Sequence, residues 1–302
     1  MRKFFRTIFN IVLFPFRLIG RMFKAIGNGF SKLARKIKGF FSEEPEDTTL
    51  PDAFAKTVQN PTGILEHINA LRIHLFRALG GMILATALAF TFAQTILDLI
   101  AKPAGGLGVL IAIDVTEPLS VLMRISLLAG FSIALPYIIF ELYLFVAPGL
   151  TRQSRINGLL SIPVVVLFFL GGMAFAYFVM LPTAIPFLTS ILGIKTQLRP
   201  STYFNFATNV MFFLGLAFEF PILIYILASL GFITPTKLKE QWRLAIVIIA
   251  VVAALITPTV DPVNMGLIMA PLFVLYLLSI GLASIAVRRR TKRELETETS
   301  PS

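Results

Sequence analysis

The stretch GLAFEFPILIYIL, residues 215–227, sets one carboxylate, Glu219, among apolar side chains in a run long enough to cross a bilayer. A charge at membrane mid-depth costs about 2.5–3.5 kcal/mol on insertion scales, so it is rarely kept without a partner, a water pocket or a task. Pro221 follows two residues later. It has no N–H, so the Ala217 carbonyl loses its helical donor and a kink is expected there. A freed carbonyl beside a carboxyl makes a polar notch on which a partner helix with a polar residue could dock. The alternative is a purely structural acid bonded to a neighbouring helix. Other reactive chemistry is scarce. Cysteine is absent, which removes disulfides, thiolate metal sites and cysteine nucleophiles. The two histidines, His67 and His74, stand seven apart with no ring of carboxylates, so neither a metal site nor a hydrolytic triad is expected. No GxxxxGK[ST] phosphate loop occurs. No catalytic residue is expected.

The elements that must carry Glu219 are membrane helices. Hydrophobic residues make up 56% of the chain and charged ones only 14%, and the apolar residues gather into long runs split by short polar joints. Six segments stand out, near 75–97, 118–140, 157–180, 205–231, 243–257 and 265–287. The fold class is therefore all-α and polytopic. LAIVIIAVVAALI in the fifth segment holds thirteen uninterrupted apolar residues, about 20 Å of helix against a hydrocarbon core of about 30 Å. The sixth opens after TPTVDPVN and contains Pro271, so both of the last segments are expected to be short spans or a re-entrant hairpin. Pro103, Pro148, Pro182 and Pro235 are taken as marks of span ends.

The net charge of +11 is distributed asymmetrically. Counting from a cytoplasmic N-terminus, the inner side holds thirteen basic residues up to Arg77, then Arg152 and Arg155, then Lys237, Lys239 and Arg243, then five from Arg288 to Arg293. The outer loops hold Lys102, Lys195 and Arg199. This bias places both termini in the cytoplasm. Arg124, inside the second segment, is read as a snorkelling cation near the outer interface, with Glu117, two turns away, as its expected partner. Residues 1–41 carry ten basic side chains and no acidic one among dense Phe and Ile, which suits an amphipathic segment on anionic lipid, with an organellar transit peptide as the rival reading. Residues 42–62 are an acidic linker, 63–287 the six-span domain and 288–302 a charged tail. Basic residues at the ends of apolar runs, without a polar domain bearing stacking aromatics, exclude nucleic acid as the partner.

Several blocks then occur in a telling order: HINALRIHL before the first span, TEPLSVLMRIS entering the second and FELYLFVAPGLTRQSR after it. GGMAFAYFVMLP, GLAFEFP and RLAIVIIAVVAALITPTVDP follow in the third, fourth and fifth. Over Glu66 to about Val287 the chain resembles the TatC family, the polytopic receptor subunit of the twin-arginine protein translocase. The resemblance implies a receptor for signal peptides bearing paired arginines, assembled with small single-span subunits, in an oligomeric complex in the bacterial inner membrane, driven by the proton-motive force and using no cofactor. It also implies a glutamate before the first span and another after PGL. Here those positions are Ala70 and Ser154. Two guanidinium groups leaving water still require carboxylates. Glu66, one helical turn from Ala70, and Glu141, at a position where the family usually has glutamine, are the candidate replacements, with Arg72, Arg152 and Ser154 in the same site. The alternative leaves Glu66 solvated and pairs Glu141 with Arg152 or Arg155. Asp261, in the turn between the last two spans, either caps the sixth helix or meets a partner. Phe212 and Phe213 are expected in packing or lipid-facing surface. The rival functions are a proton- or ion-coupled small-solute transporter centred on Glu219, and a diverged scaffold that no longer reads twin arginines.

Overall fold

The computed structural model describes residues 61–149, 152–190, 197–257 and 262–298. The basic and acidic segments at the N-terminus and Asp261 lie outside the described residues, as do the side chains of Arg152 and Ser154. Among the described residues the chain is helical, with no strand. In chain order, α1 is Pro61–Thr91, α2 Ala93–Ala101, α3 Glu117–Val146 and α4 Arg152–Phe175. A widened π turn, Ala176–Met180, leads into α5, Leu181–Ser190. Then come α6, Pro200–Ser229, α7, Pro235–Glu240, α8, Trp242–Ile256, and α9, Pro262–Glu298.

Five stretches are long and apolar enough to cross a membrane: Leu65–Thr91, Glu117–Gly149, Gly158–Thr189, Pro200–Ser229 and Met265–Thr291. The sixth apolar helix, α8, has 15 residues, or about 22 Å. The fifth segment is thus short as the sequence implies, but the last is not. Pro271 lies inside α9, which continues through it. A transmembrane helix tolerates the missing N–H because neighbouring groups and small local adjustments re-satisfy the freed carbonyl. Pro182 likewise fails to end its span. The π turn just before it shifts the hydrogen bonding to i→i+5, and the helix runs on to Ser190.

The described chain falls into two compact units, His67–Phe145 with Leu159–Ser302, and the residues up to Glu66 with Val146–Gly158. The larger one holds the core. At its centre are Ile125 of α3, Leu181 of α5, Phe204, Val210 and Leu214 of α6, Ile256 of α8 and Ile268 of α9. α6 is the hub, packing most extensively on α9. In lipid the hydrophobic effect does not draw helices together, so close approach of backbones through small residues matters. Gly130 of α3 lies so near the Thr86 backbone of α1 that an added Cβ would collide with it. Gly172 of α4 faces α6, where a Cβ would sit 2.6 Å from the Leu214 carbonyl oxygen and 2.8 Å from Gly215 Cα. The last carbonyls of α2 take hydroxyls from elsewhere: Tyr203 donates to Ile100 and Tyr177 to Leu99, the latter at 2.9 Å.

Candidate functional site

Glu219 sits on the middle turns of α6 and lines a groove of about 690 Å³ bounded by α6, α8, α9 and the α7 segment. Leu216, Leu223, Ile248 and Leu275 make most of its wall apolar, and Gln241 is its other polar side chain besides Tyr276. The Tyr276 hydroxyl is spent on the Leu238 carbonyl. Oε1 of Glu219 is buried with no hydrogen-bond partner among the described residues. Glu219 thus lines the groove without a bonded neighbour for Oε1 among the described residues. Pro221 is fully buried, and α6 is not interrupted there.

A second polar cluster joins α1 to α3. His74 Nδ1 lies 2.6 Å from one Glu141 oxygen, and the Tyr137 hydroxyl donates to the other at 2.8 Å. Glu141 is 5% exposed. The sequence suggested neither of these two partners of Glu141. His67, two turns earlier on α1, stacks on Phe145 at 4.5 Å between ring centroids. Arg72 is exposed, with its guanidinium over the Phe76 ring at 5.6 Å.

In the smaller unit, Arg152 and Ser154 begin α4, Glu66 is exposed on α1, and Arg155 is buried with a hydrogen bond to the Pro148 carbonyl at 3.3 Å. A short turn, Ala147–Gly149, orients that carbonyl.

At the other end of α3, Glu117 does not pair with Arg124. Its buried carboxylate receives the Arg199 guanidinium, with Nε at 3.0 Å from Oε1, while Oε2 has no partner among the described residues. Arg199 can reach because the backbone that carries it is docked on this loop by the Ile111 N–H bond to the Leu198 carbonyl at 3.1 Å. Arg124 instead donates to the Asn209 side-chain oxygen of α6 at 3.3 Å. Just before α3, the Thr116 N–H and hydroxyl both donate to Asp114 at 3.0 Å and hold its carboxyl below the ordinary range.

Among the described residues no group of three or more His, Cys, Asp or Glu could hold a metal ion. Residues 66–271 match the family model described as Sec-independent protein translocase protein (TatC). The chain belongs to the TatC family. It is 33% identical over 250 residues to the TatC protein of Deinococcus radiodurans, covering 80% of this chain and 92% of that one. With the TatC protein of Aquifex aeolicus it shares 34% identity over 241 residues, 77% of this chain and 98% of the relative. The fold is similar to a crystal structure of the twin-arginine translocase receptor TatC, with a TM-score of 0.65 at 33% identity, over 73% of this chain and 99% of that chain. Five long apolar helices and a short one are thus the TatC architecture, and the chain is a multi-pass membrane protein.

Signals in the sequence for the cross-helix pairs were weak. Glu141 and Tyr137, four apart, could have been paired from helical spacing alone. Asn209 gave the signal of an amide inside an apolar span. Nothing in the spacing linked Glu117 to a residue 82 positions later.

Proposed function

We propose that this chain is the receptor subunit of a twin-arginine translocase. It takes up signal peptides of folded proteins at the cytoplasmic surface and nucleates assembly with small single-span subunits in the bacterial inner membrane. The observation that carries this is the match to a TatC receptor fold at 33% identity, over 73% of this chain and 99% of that one, with Glu219 lining an interhelical groove.

Both termini face the cytoplasm in this reading, following the excess of Lys and Arg on that side. Residues 1–41 then lie on anionic lipid beside the complex. Signal peptides dock where α1 enters the membrane and at the loop before α4. Glu66, exposed in place of the family's acid at Ala70, offers the carboxylate to the first guanidinium. Arg72, Arg152 and Ser154 are further proposed contacts of the signal peptide. Glu141 is a reserve acid, because both of its oxygens are already engaged by His74 and Tyr137. A partner helix seats its polar residue against Glu219, while Asp261 either caps the last helix or meets a partner. The short α8 thins the bilayer there, and the receptor works as a homo-oligomer with its partners.

Complementation of a strain lacking its own receptor, read by export of a folded twin-arginine reporter, tests the function. Export restored supports it; a protein that accumulates in the membrane without restoring export removes it. Glu66→Lys is expected to abolish photocrosslinking to a twin-arginine signal peptide, whereas Glu141→Lys alone acts only through the fold. Undiminished crosslinking in Glu66→Lys discards Glu66 as the receiving acid.

A further inference from the structure

We propose that a second cavity, enclosed by α1, α3 and α6 and distinct from the Glu219 groove, seats one acidic phospholipid with its phosphate on Arg124. The cavity measures about 780 Å³, within the range of small-molecule sites. Its walls are mainly apolar, formed by Met82 and Phe90 of α1, Met123, Leu127 and Phe131 of α3, and Phe212 of α6.

The polar side chains around it are nearly all spoken for. The hydroxyls of Thr86, Ser126 and Thr208 donate to carbonyls of their own helices at 2.8, 2.7 and 2.6 Å, and Ser120 does the same at 2.9 Å. Arg124 is different. It is exposed, and its one partner among the described residues is the Asn209 side-chain oxygen at 3.3 Å. A guanidinium carries five N–H donors, so most remain available. Glu117, the nearest acid along α3, is committed to Arg199. Arg124 thus presents an uncompensated cation at the mouth of an apolar cavity.

Depth and charge decide the occupant. The 30 residues of α3 span about 45 Å, some 15 Å more than the hydrocarbon core, and Arg124 lies about 10 Å from its start. That places the guanidinium near the interface, where lipid phosphates reside and where it can reach by snorkelling. The planar fork suits a phosphate bidentately, and the Asn209 amide can add a donor. No carboxylate lines the cavity to receive the ammonium of a zwitterionic headgroup. A lipid with a net negative charge, such as phosphatidylglycerol, matches the single cation, and its acyl chain matches the Met and Phe walls. Free phosphate would leave those walls unused.

Two measurements on the full chain test this. In native mass spectrometry from mixed micelles of phosphatidylglycerol and phosphatidylcholine, retention of the acidic lipid should fall about tenfold in Arg124→Gln, the effect of losing one hydrogen-bonded charge, and persist in Arg124→Lys. Binding by the basic N-terminal segment is common to all three proteins and cancels. Unchanged retention in Arg124→Gln overturns the proposal. If that variant fails to accumulate, Phe90→Trp in a Trp242→Phe background gives a fluorophore at the cavity, since Trp242 is the sole tryptophan. Brominated phosphatidylglycerol should quench it more strongly than brominated phosphatidylcholine. Equal quenching by the two lipids, or loss of the difference on adding inorganic phosphate at constant ionic strength, overturns the assignment to a lipid.

Discussion

His74 on α1 and Glu141 on α3 meet at 2.6 Å, and Tyr137 at 2.8 Å completes the coordination of the same buried carboxylate. One acid thereby clasps two helices. Removing one partner leaves a buried acceptor half satisfied, at a cost of about 1–3 kcal/mol, while replacing both groups with apolar ones is far milder. His74→Leu is therefore expected to lower the thermal midpoint of the purified protein. The double variant His74→Leu/Glu141→Leu should lose less than the sum of the two single changes, because contacting residues couple. Strict additivity of the midpoints would show that the two side chains do not form a unit.

Glu117 and the two arginines give a comparison that separates the observed pairing from the local one. Arg199→Ala strips the Glu117 carboxylate of its one partner among the described residues, where it is 5% exposed and its second oxygen makes no hydrogen bond. Arg199 is itself half exposed, which screens the pair, so the loss is about 1–3 kcal/mol rather than the larger value for a fully buried bridge. Arg124→Ala removes only a neutral acceptor's donor. Thermal unfolding in detergent should rank Arg199→Ala well below Arg124→Ala. The opposite ranking would return Glu117 to Arg124.

The fold was legible in the sequence to the extent that it follows from hydropathy and length. Six apolar segments and the short fifth one could be read because a bilayer imposes one thickness on every span. Proline misled twice. Pro182 and Pro271 read in the sequence as a span end and a shortening signal, but a helix surrounded by other helices absorbs a missing N–H, by a π turn in one case and within continuous α-helix in the other. The polar pairs were less legible. Glu117 and Arg124 share a helix face, yet the Ile111 N–H bond to the Leu198 carbonyl holds Arg199 near the acid instead. Glu219 stood out in the sequence because it breaks an apolar run, but the groove it faces depends on where α8 and α9 pack.

Glycine contacts supply a test of the helix crossings. Gly130 meets the Thr86 backbone, and Gly172 meets the Leu214 carbonyl and Gly215, neither of which can rotate out of the way. Gly80 has nothing within 4 Å of an added Cβ. Gly130→Val and Gly172→Val should each cost about 1–3 kcal/mol and reduce the amount of folded protein recovered from membranes. Gly80→Ala should be neutral or slightly stabilising, since alanine favours the helix. Equal tolerance at all three positions, measured by size-exclusion profile and thermal midpoint, would mean that α1, α3, α4 and α6 cross elsewhere.

Glu219 calls for a test that separates docking from folding. Its Oε1 makes no hydrogen bond among the described residues, so removing the carboxylate breaks no such bond there. A buried acid that held the bundle together would behave otherwise, costing stability when lost. Glu219→Ala is therefore expected to accumulate in the membrane and to unfold close to the parent, because no hydrogen bond among the described residues is lost. If a partner helix docks on this carboxylate, the same variant should lower export of a folded twin-arginine reporter and reduce crosslinking from the groove residue Leu223 to the small subunits. Glu219→Gln, which keeps a hydrogen-bonding group, should retain part of both. A protein that falls from the membrane, or melts several kilocalories lower, would make Glu219 a structural acid; normal export with normal stability would leave the groove without a task.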